Sequence, residues 1–356
     1  MTVYLIRRFF QIIIVLLLSS GLIYSIFAIA PGGPLDELMQ STDPKSRPSP
    51  QDIERQKRLL GLDKPWYLWY PVWLAGDTWV AKVGFDEKYV GDRKGILRGD
   101  WGESWKVQRG KDVLELIKSR LPATLWLTVT STLISLLIGI PLGVFSAVRQ
   151  YSFFDYLFTT FSFIGISIPA FWFGLLIISL SLIMRSNDLF HFPPGDILAL
   201  RDYEVPMIGV VKAKSFLDRV MHLVMPVTVL SLLNIAGWSR FMRTSMLEVL
   251  SQDYVRTARA KGVRERLVVY KHAFRNALIP LITIVVFAIP GVFSGAIFTE
   301  TVFNYKGLGF LFINALGSSD YPLAQAFLLI TSILIVFSTL LADILYTFVD
   351  PRIRLG

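Results

Sequence analysis

The chain has no cysteine. A disulfide framework and a thiolate metal site are therefore excluded, and the absence assigns no compartment. Charge is scarce too: Asp, Glu, Lys and Arg make up 18% of the 356 residues, where a soluble domain carries about a quarter. The three histidines, His191, His222 and His272, have no metal-ligating spacing from one another. There is no G-x-x-x-x-G-K-[ST] loop to cradle a phosphate, no H-E-x-x-H pair for zinc and no G-x-S-x-G nucleophile elbow.

The missing charge is concentrated in long apolar runs, which mark a membrane protein. Six segments can cross about 30 Å of hydrocarbon at about 1.5 Å per residue: 9–29, 122–148, 157–184, 221–239, 278–298 and 323–345. The expected fold is an all-α integral membrane protein with six transmembrane helices. Arg7, Arg8 and Ala28-Ile29-Ala30 give the first run some features of a signal peptide. Its length exceeds a signal core and Pro31 would follow the cut, so it is expected to remain as a helix.

Within the apolar stretches of spans two to five there is no Asp, Glu, Lys or Arg; Asn234 is the most polar side chain, and Asp343 stands near the inner end of span six. Ion-coupled transporters, pumps and voltage sensors need ionisable groups inside the membrane. Any vectorial work here needs energy from a partner. Intramembrane enzymes need a nucleophile–base or metal constellation, and none is present. A membrane scaffold would account for the positive charge alone.

The net charge of +9 points to nucleic acid in a soluble protein, but here its distribution follows the membrane. With the N-terminus inside, segments 1–8, 149–156, 240–277 and the tail after 346 are cytoplasmic and hold 14 Lys and Arg, nine of them in 240–277. The short outer loop 299–322 has only Lys306, and 185–220 balances five basic against five acidic residues. Orientation follows short loops, so N-in, C-in is expected. The chain then divides into a tail and first helix (1–30), a large extracytoplasmic loop (31–120) and a core of five helices (121–356).

Gly139 with Pro141, Gly165 with Pro169, Pro226, and Pro290 with Gly291 interrupt the spans. Proline removes a backbone hydrogen bond and bends a helix. Such breaks suit either a flexible path through the membrane or ordinary packing kinks, and both readings stand. Ser167, Pro169, Phe171 and Asn234 are the candidate path residues.

The segment 240–280, RFMRTSMLEVLSQDYVRTARAKGVRERLVVYKHAFRNALIP, holds the strongest signal. A helical stretch from about Thr244 to Lys261 precedes Gly262, and an amphipathic one with Leu267, Tyr270, Phe274 and Leu278 follows. Gly262 suits a left-handed turn between them. Thr257, Ala258 and Ala260 are small and let another protein approach the backbone. The candidate coupling surface is Asp253, Tyr254, Arg256, Thr257, Ala258, Ala260, Lys261 and Gly262. Read without a partner, the same block is a positive anchor on anionic lipid.

Asp253 to Gly262 (DYVRTARAKG) and His272 to Pro280 resemble the cytoplasmic coupling loop of ATP-binding-cassette importer permeases, in particular the dipeptide/oligopeptide/nickel branch. PGGP at 31–34, LLGLDKPWYLWY, GDWGES at 99–104, RLPATLWL at 120–127, SIPAFWFG at 167–174, HLVMPVTVL at 222–230, ETVFNYKGLGFLF at 300–312, DYPLAQ at 320–325 and DILYTFVDPRIR follow the family order. The resemblance implies a multi-pass protein of the cytoplasmic (inner) membrane, not itself an enzyme. Its implied partners are a second homologous permease, two cytoplasmic ATPases that bind the ATP and Mg, an extracytoplasmic solute-binding protein and membrane lipid. The solute would be a di- or oligopeptide, with oligosaccharides, nickel or another small solute as the alternative. Nucleic acid, metal and a cofactor held by this chain are not expected. Two departures stand out. Gly33 replaces the usual aspartate, and about 20 residues from Asp77 to Gly95 look inserted.

Six of the nine tryptophans fall in 31–120, and Trp66, Tyr67, Trp69, Tyr70 and Trp73 cluster. Such rings favour the membrane interface, so 65–75 reads as a segment on the outer leaflet or as the core of a small subdomain.

Overall fold

The computed structural model describes residues 2–30, 54, 57, 63–86, 90–91, 93–294 and 296–349. PGGP at 31–34, residues 58–62 and the tail from 350 lie outside them, with the expectations attached to them.

Among the described residues, five helices are long and apolar enough to span a bilayer. They are α1 (Thr2–Ile29), α3 (Val113–Val148), α6 (Phe216–Leu250), the run Glu265–Gly291, and Tyr321–Leu345. Between α1 and α3 lies α2 (Trp66–Ala75). A bent pair, α4 (Phe153–Ser167) and α5 (Ala170–Ser186), which meet at 100°, brings the number to six when counted as one span. The single helix expected over 157–184 is therefore broken at Ile168 and Pro169, both in extended conformation. Proline disfavours helix in the residue before it and opens a helix well after it.

The other prolines behave differently. Pro122 and Pro141 lie inside an unbroken α3, and Pro226 inside α6. Around Pro141 the glycines serve packing. A Cβ on Gly139 would stand 2.9 Å from the Trp238 Cβ, and one on Gly143 would stand 2.7 Å from the Met242 Cβ. Two glycines four apart share one helix face, and here they let α3 lie against α6 at close range, as small residues do between membrane helices.

The chain forms two units. The first gathers residues 1–5, 120–311 and 334–356. In it Val144, Ala147, Met242, Met246, Val269 and Ala273 make one buried cluster. Leu127, Met225, Val229, Phe303 and Tyr305 make another. A two-stranded hairpin, β1 (Tyr203–Val205) and β2 (Gly209–Val211), precedes α6 and turns Val205 and Val211 inward onto Met221. Helix α7 (Asp253–Ala260) follows α6. Beyond it come α8 (Arg275–Ser294), α9 (Ile297–Val302), α10 (Leu308–Gly317) and α11 (Tyr321–Val349). Glu300 is fully buried. Its carboxyl accepts from Thr124 Oγ1 at 2.8 Å and from the Phe310 N–H at 3.0 Å, while Thr124 accepts from the Leu308 N–H at 2.7 Å. Burial pushes the Glu300 pKa up, and those donors hold it back only in part.

The second unit gathers residues 6–119 and 312–333. Helix α2 is its core on one side: Leu68 and Val72 pack with Val80, and Trp73 packs with Ile96 and Leu329. Tyr70 bonds Ser20 at 2.9 Å, whereas Trp66 and Tyr67 stay exposed. The subdomain-core alternative thus accounts for one face of the aromatic segment. The ends of the stretch expected to be an insertion meet where Gly76 (φ 82) lies against Gly95 (φ 76); a Cβ on Gly76 would lie 2.6 Å from the Lys94 carbonyl oxygen. Asp320 accepts the Ser104 hydroxyl at 2.5 Å and the N–H groups of Trp105, Lys106 and Val107 at 3.0–3.1 Å.

Candidate functional site

The stretch expected as one helix from Thr244 to Lys261 is two. Helix α6 ends at Leu250, the chain bends at Ser251, Gln252 is extended (ψ 149), and α7 begins at Asp253. The bend has a packing cause. Val255 and Ala258 are buried with Val268 against Val249, Leu250 and Val263, and only a fold at 251–252 returns them to those partners. Ala258 is therefore an inward residue, 8% exposed, and its small side chain serves internal packing rather than an outer surface. Asp253, Tyr254, Arg256, Thr257, Ala260, Lys261 and Gly262 are all exposed.

Gly262 has φ 74. Its N–H donates to the Arg259 carbonyl at 2.9 Å, and the Val263 N–H donates to the Ala258 carbonyl at 3.3 Å. These bonds, with Val263 packed in the same cluster as Ala258, are the Schellman closure of a helix by a left-handed residue. A Cβ at Gly262 would meet nothing within 4 Å, so the constraint is conformational. Across the turn Arg259 donates to the Glu265 carboxylate, from Nη2 at 2.8 Å and from Nε at 3.2 Å. The carboxylate's hydrogen bond raises the Arg259 pKa further.

After the turn, Glu265–Leu267 is one helical turn and Val268–Phe274 is π-helical before α8. The apolar period read from Leu267, Tyr270, Phe274 and Leu278 is not the buried one: Leu267 and Tyr270 are 51% and 64% exposed. The buried residues Val269, Ala273, Ala277 and Leu281 stand four apart in one cluster, while Val268 is buried with Val255 and Ala258.

The structure also joins two residues the sequence does not mark as a pair. Asp155, fully buried in α4, accepts from Arg243 of α6 through Nε at 2.8 Å and Nη2 at 2.9 Å. It also accepts the Ser146 hydroxyl of α3 and the Tyr151 N–H at 2.9 Å. One carboxylate thus fastens three helices at the end where α6 leads into α7. A local signal exists at Ser152, whose hydroxyl caps α4 through the Asp155 N–H at 3.2 Å; nothing in the sequence points from there to Arg243.

The four path residues, Ser167, Pro169, Phe171 and Asn234, are all exposed. Ser167 and Pro169 flank the break between α4 and α5, and the Ser167 hydroxyl is spent on the Phe163 carbonyl at 2.8 Å. Helix α4 lies on α6 through Gly165 beside Ala236 and through Ser162 bonded to Ser239 at 3.1 Å. Among the described residues, no His, Asp and Glu group has the makings of a metal site.

Residues 139–355 match the model of the binding-protein-dependent transport system inner membrane component family, and residues 1–128 match the model of its N-terminal part. The chain is 40% identical, over 99% of its length and 100% of the relative's, to the oligopeptide transport system permease protein AppB of Bacillus subtilis. It is 31% identical over 99% of its length to the dipeptide transport system permease protein DppB of Alkalihalophilus pseudofirmus, all of which is covered. With the DppB of Escherichia coli K12 it shares 36% identity over 77% of this chain and 84% of that one. With family models covering most of its length and full-length relatives, the chain belongs to the binding-protein-dependent transport system inner membrane components.

Proposed function

We propose that this chain is one permease subunit of an ATP-binding-cassette importer and forms part of the membrane path for di- or oligopeptides. The relatives' names support the peptide class, and the chain acts as a transport subunit rather than an enzyme. ATP and Mg belong to two cytoplasmic ATPases, a solute-binding protein delivers the peptide from outside, and a second homologous permease completes the path. The orientation is N-in, C-in, with α7 in the cytoplasm and loop 31–120 outside.

The observation that carries this reading is α7 itself. It is an eight-residue helix with its inner face packed, its outer face bare and its end fixed by the Gly262 turn and the Arg259–Glu265 pair. A rigid exposed helix fits the groove of a partner and transmits that partner's movement. Asp253, Tyr254, Arg256, Thr257, Ala260, Lys261 and Gly262 would meet the ATPase, while Ala258 supports them from beneath. Ser167, Pro169, Phe171 and Asn234 remain the proposed path residues.

The test is Gly262→Leu in the purified assembly, reconstituted in liposomes with receptor and peptide. Peptide uptake is expected to fall to background, with ATPase turnover uncoupled from receptor or the ATPases no longer retained. Normal uptake by a normally assembled variant refutes the coupling role.

A further inference from the structure

Alongside the coupling segment runs a groove of about 1090 Å³. One wall is a single stripe of α3, with Leu137, Pro141, Phe145 and Val148 along it. The other wall is the π stretch, with Val269, Tyr270 and Phe274, and Phe154 and Phe158 of α4 complete the lining. The stripe from Leu137 to Arg149 rises about 18 Å at 1.5 Å per residue, against about 15 Å for half of a bilayer's hydrocarbon. The groove thus has the depth of one leaflet.

Its polar end is well defined. Val144 and Ala147 share a buried cluster with Val269 and Ala273, so the end of α3 lies beside the start of the π stretch. Arg149 and Arg266 both line the groove there. The Arg149 guanidinium lies over the Phe145 ring, 5.0 Å from its centre. Neither arginine has an ion-pair partner among the described residues, whereas the neighbouring Glu265 is held by Arg259. The groove therefore offers an apolar slot one leaflet deep, capped by two uncompensated guanidinium groups. That combination complements an acyl chain bearing an anionic phosphate headgroup. A helix of another subunit would need an acidic residue at this end to match it.

We infer that this groove is a binding site for an anionic phospholipid, with acyl chain between α3 and the π stretch and headgroup phosphate on Arg149 and Arg266. The inference rests on the membrane-spanning reading of the chain. The occupied site would wedge against Val268–Phe274, the segment that follows the coupling turn, so lipid composition would bear on coupling.

The test uses the intact assembly in mild detergent, with dioleoylphosphatidylglycerol or dioleoylphosphatidylcholine added, and native mass spectrometry to count retained lipid. Phosphatidylglycerol is expected to be retained in preference. An Arg149→Gln/Arg266→Gln double variant is expected to retain it about tenfold less well. Leu137→Trp, which fills the slot and leaves both charges, is expected to lose it too, while Lys212→Gln in another loop changes nothing. Equal retention of the two lipids, or unchanged retention in the double variant, overturns the site. So does a photocrosslinker at Tyr270 that labels a protein chain instead of lipid. Loss of the ATPases from the preparation would count against the permease assignment and leave the lipid result standing.

Discussion

Arg243 and Asp155, 88 residues apart in sequence, meet through two hydrogen bonds of 2.8 and 2.9 Å. The carboxylate is almost fully buried and the guanidinium largely so, with side-chain exposures of 3% and 25%. Removing one member strands the other, which costs about 3–5 kcal/mol for a buried pair. Asp155→Ala and Arg243→Ala should each lower the thermal midpoint of the solubilised protein markedly. The double variant should lose much less than the sum, because no charge is left uncompensated. Additive losses would show that the pair is not coupled.

Gly262 offers a sharper contrast. Its φ of 74 disfavours any side chain, yet a Cβ placed there would have no atom within 4 Å. Gly262→Ala should cost about 1 kcal/mol of stability through backbone strain. Gly262→Asn should cost less, since asparagine tolerates the left-handed region, and Gly262→Val should cost most. Denaturant or thermal titration of the three variants gives the order; a flat series would mean that the turn relaxes freely.

Glu300 predicts a pH dependence. Its pKa is raised above the usual 4.5 by burial. A carboxyl raised in the folded state contributes stability below its unfolded pKa and loses that contribution as pH climbs through the folded value. Wild-type stability should therefore decline over that interval relative to Glu300→Gln, whose side chain does not titrate. Thermal midpoints of both proteins from acid to neutral pH provide the check. Parallel curves would mean that the carboxyl titrates at an ordinary pKa. In the same cluster Thr124→Val leaves the Leu308 N–H without its acceptor and should cost about 1–3 kcal/mol.

The Asp320 carboxylate holds the loop at 104–107 through three backbone N–H groups and one hydroxyl. Bonds to a charged acceptor contribute about 1.5–3 kcal/mol each. Asp320→Asn should speed amide exchange at Trp105, Lys106 and Val107 well beyond that of neighbouring sites, and should open the loop to proteases. Unchanged exchange at those three amides would refute the anchoring role.

The spans are legible in the sequence because hydrophobic length is a property of a local window. The break at Ile168–Pro169 is half legible: the proline is visible, but Pro122, Pro141 and Pro226 look alike in sequence and leave their helices continuous. What separates them is tertiary, since a helix continues past proline when its neighbours hold it. The segment 240–280 is legible as a helix, a turn and a helix, with Gly262 at the turn. Its inner face is not, because Ala258 owes its burial to Val268, ten residues on and past the turn. The Asp155–Arg243 pair, the two glycines against α6 and the Asp320 anchor all depend on contacts between distant segments, and no local pattern marks them.

The turn at Gly262 and the π stretch after it lie in series along one chain. The turn is braced by two backbone hydrogen bonds and an ion pair, whereas a π-helix bonds i→i+5 and is the rare winding beside the α-helix. When two elements in series bear one load, the more compliant takes most of the strain. A push on α7 therefore leaves the turn almost undeformed and is taken up as rewinding of Val268–Phe274, whose amides should exchange faster than those at 261–263. On this view the stroke length of the subunit is set by how many residues can pass between π and α winding, and a single deletion there would shorten it.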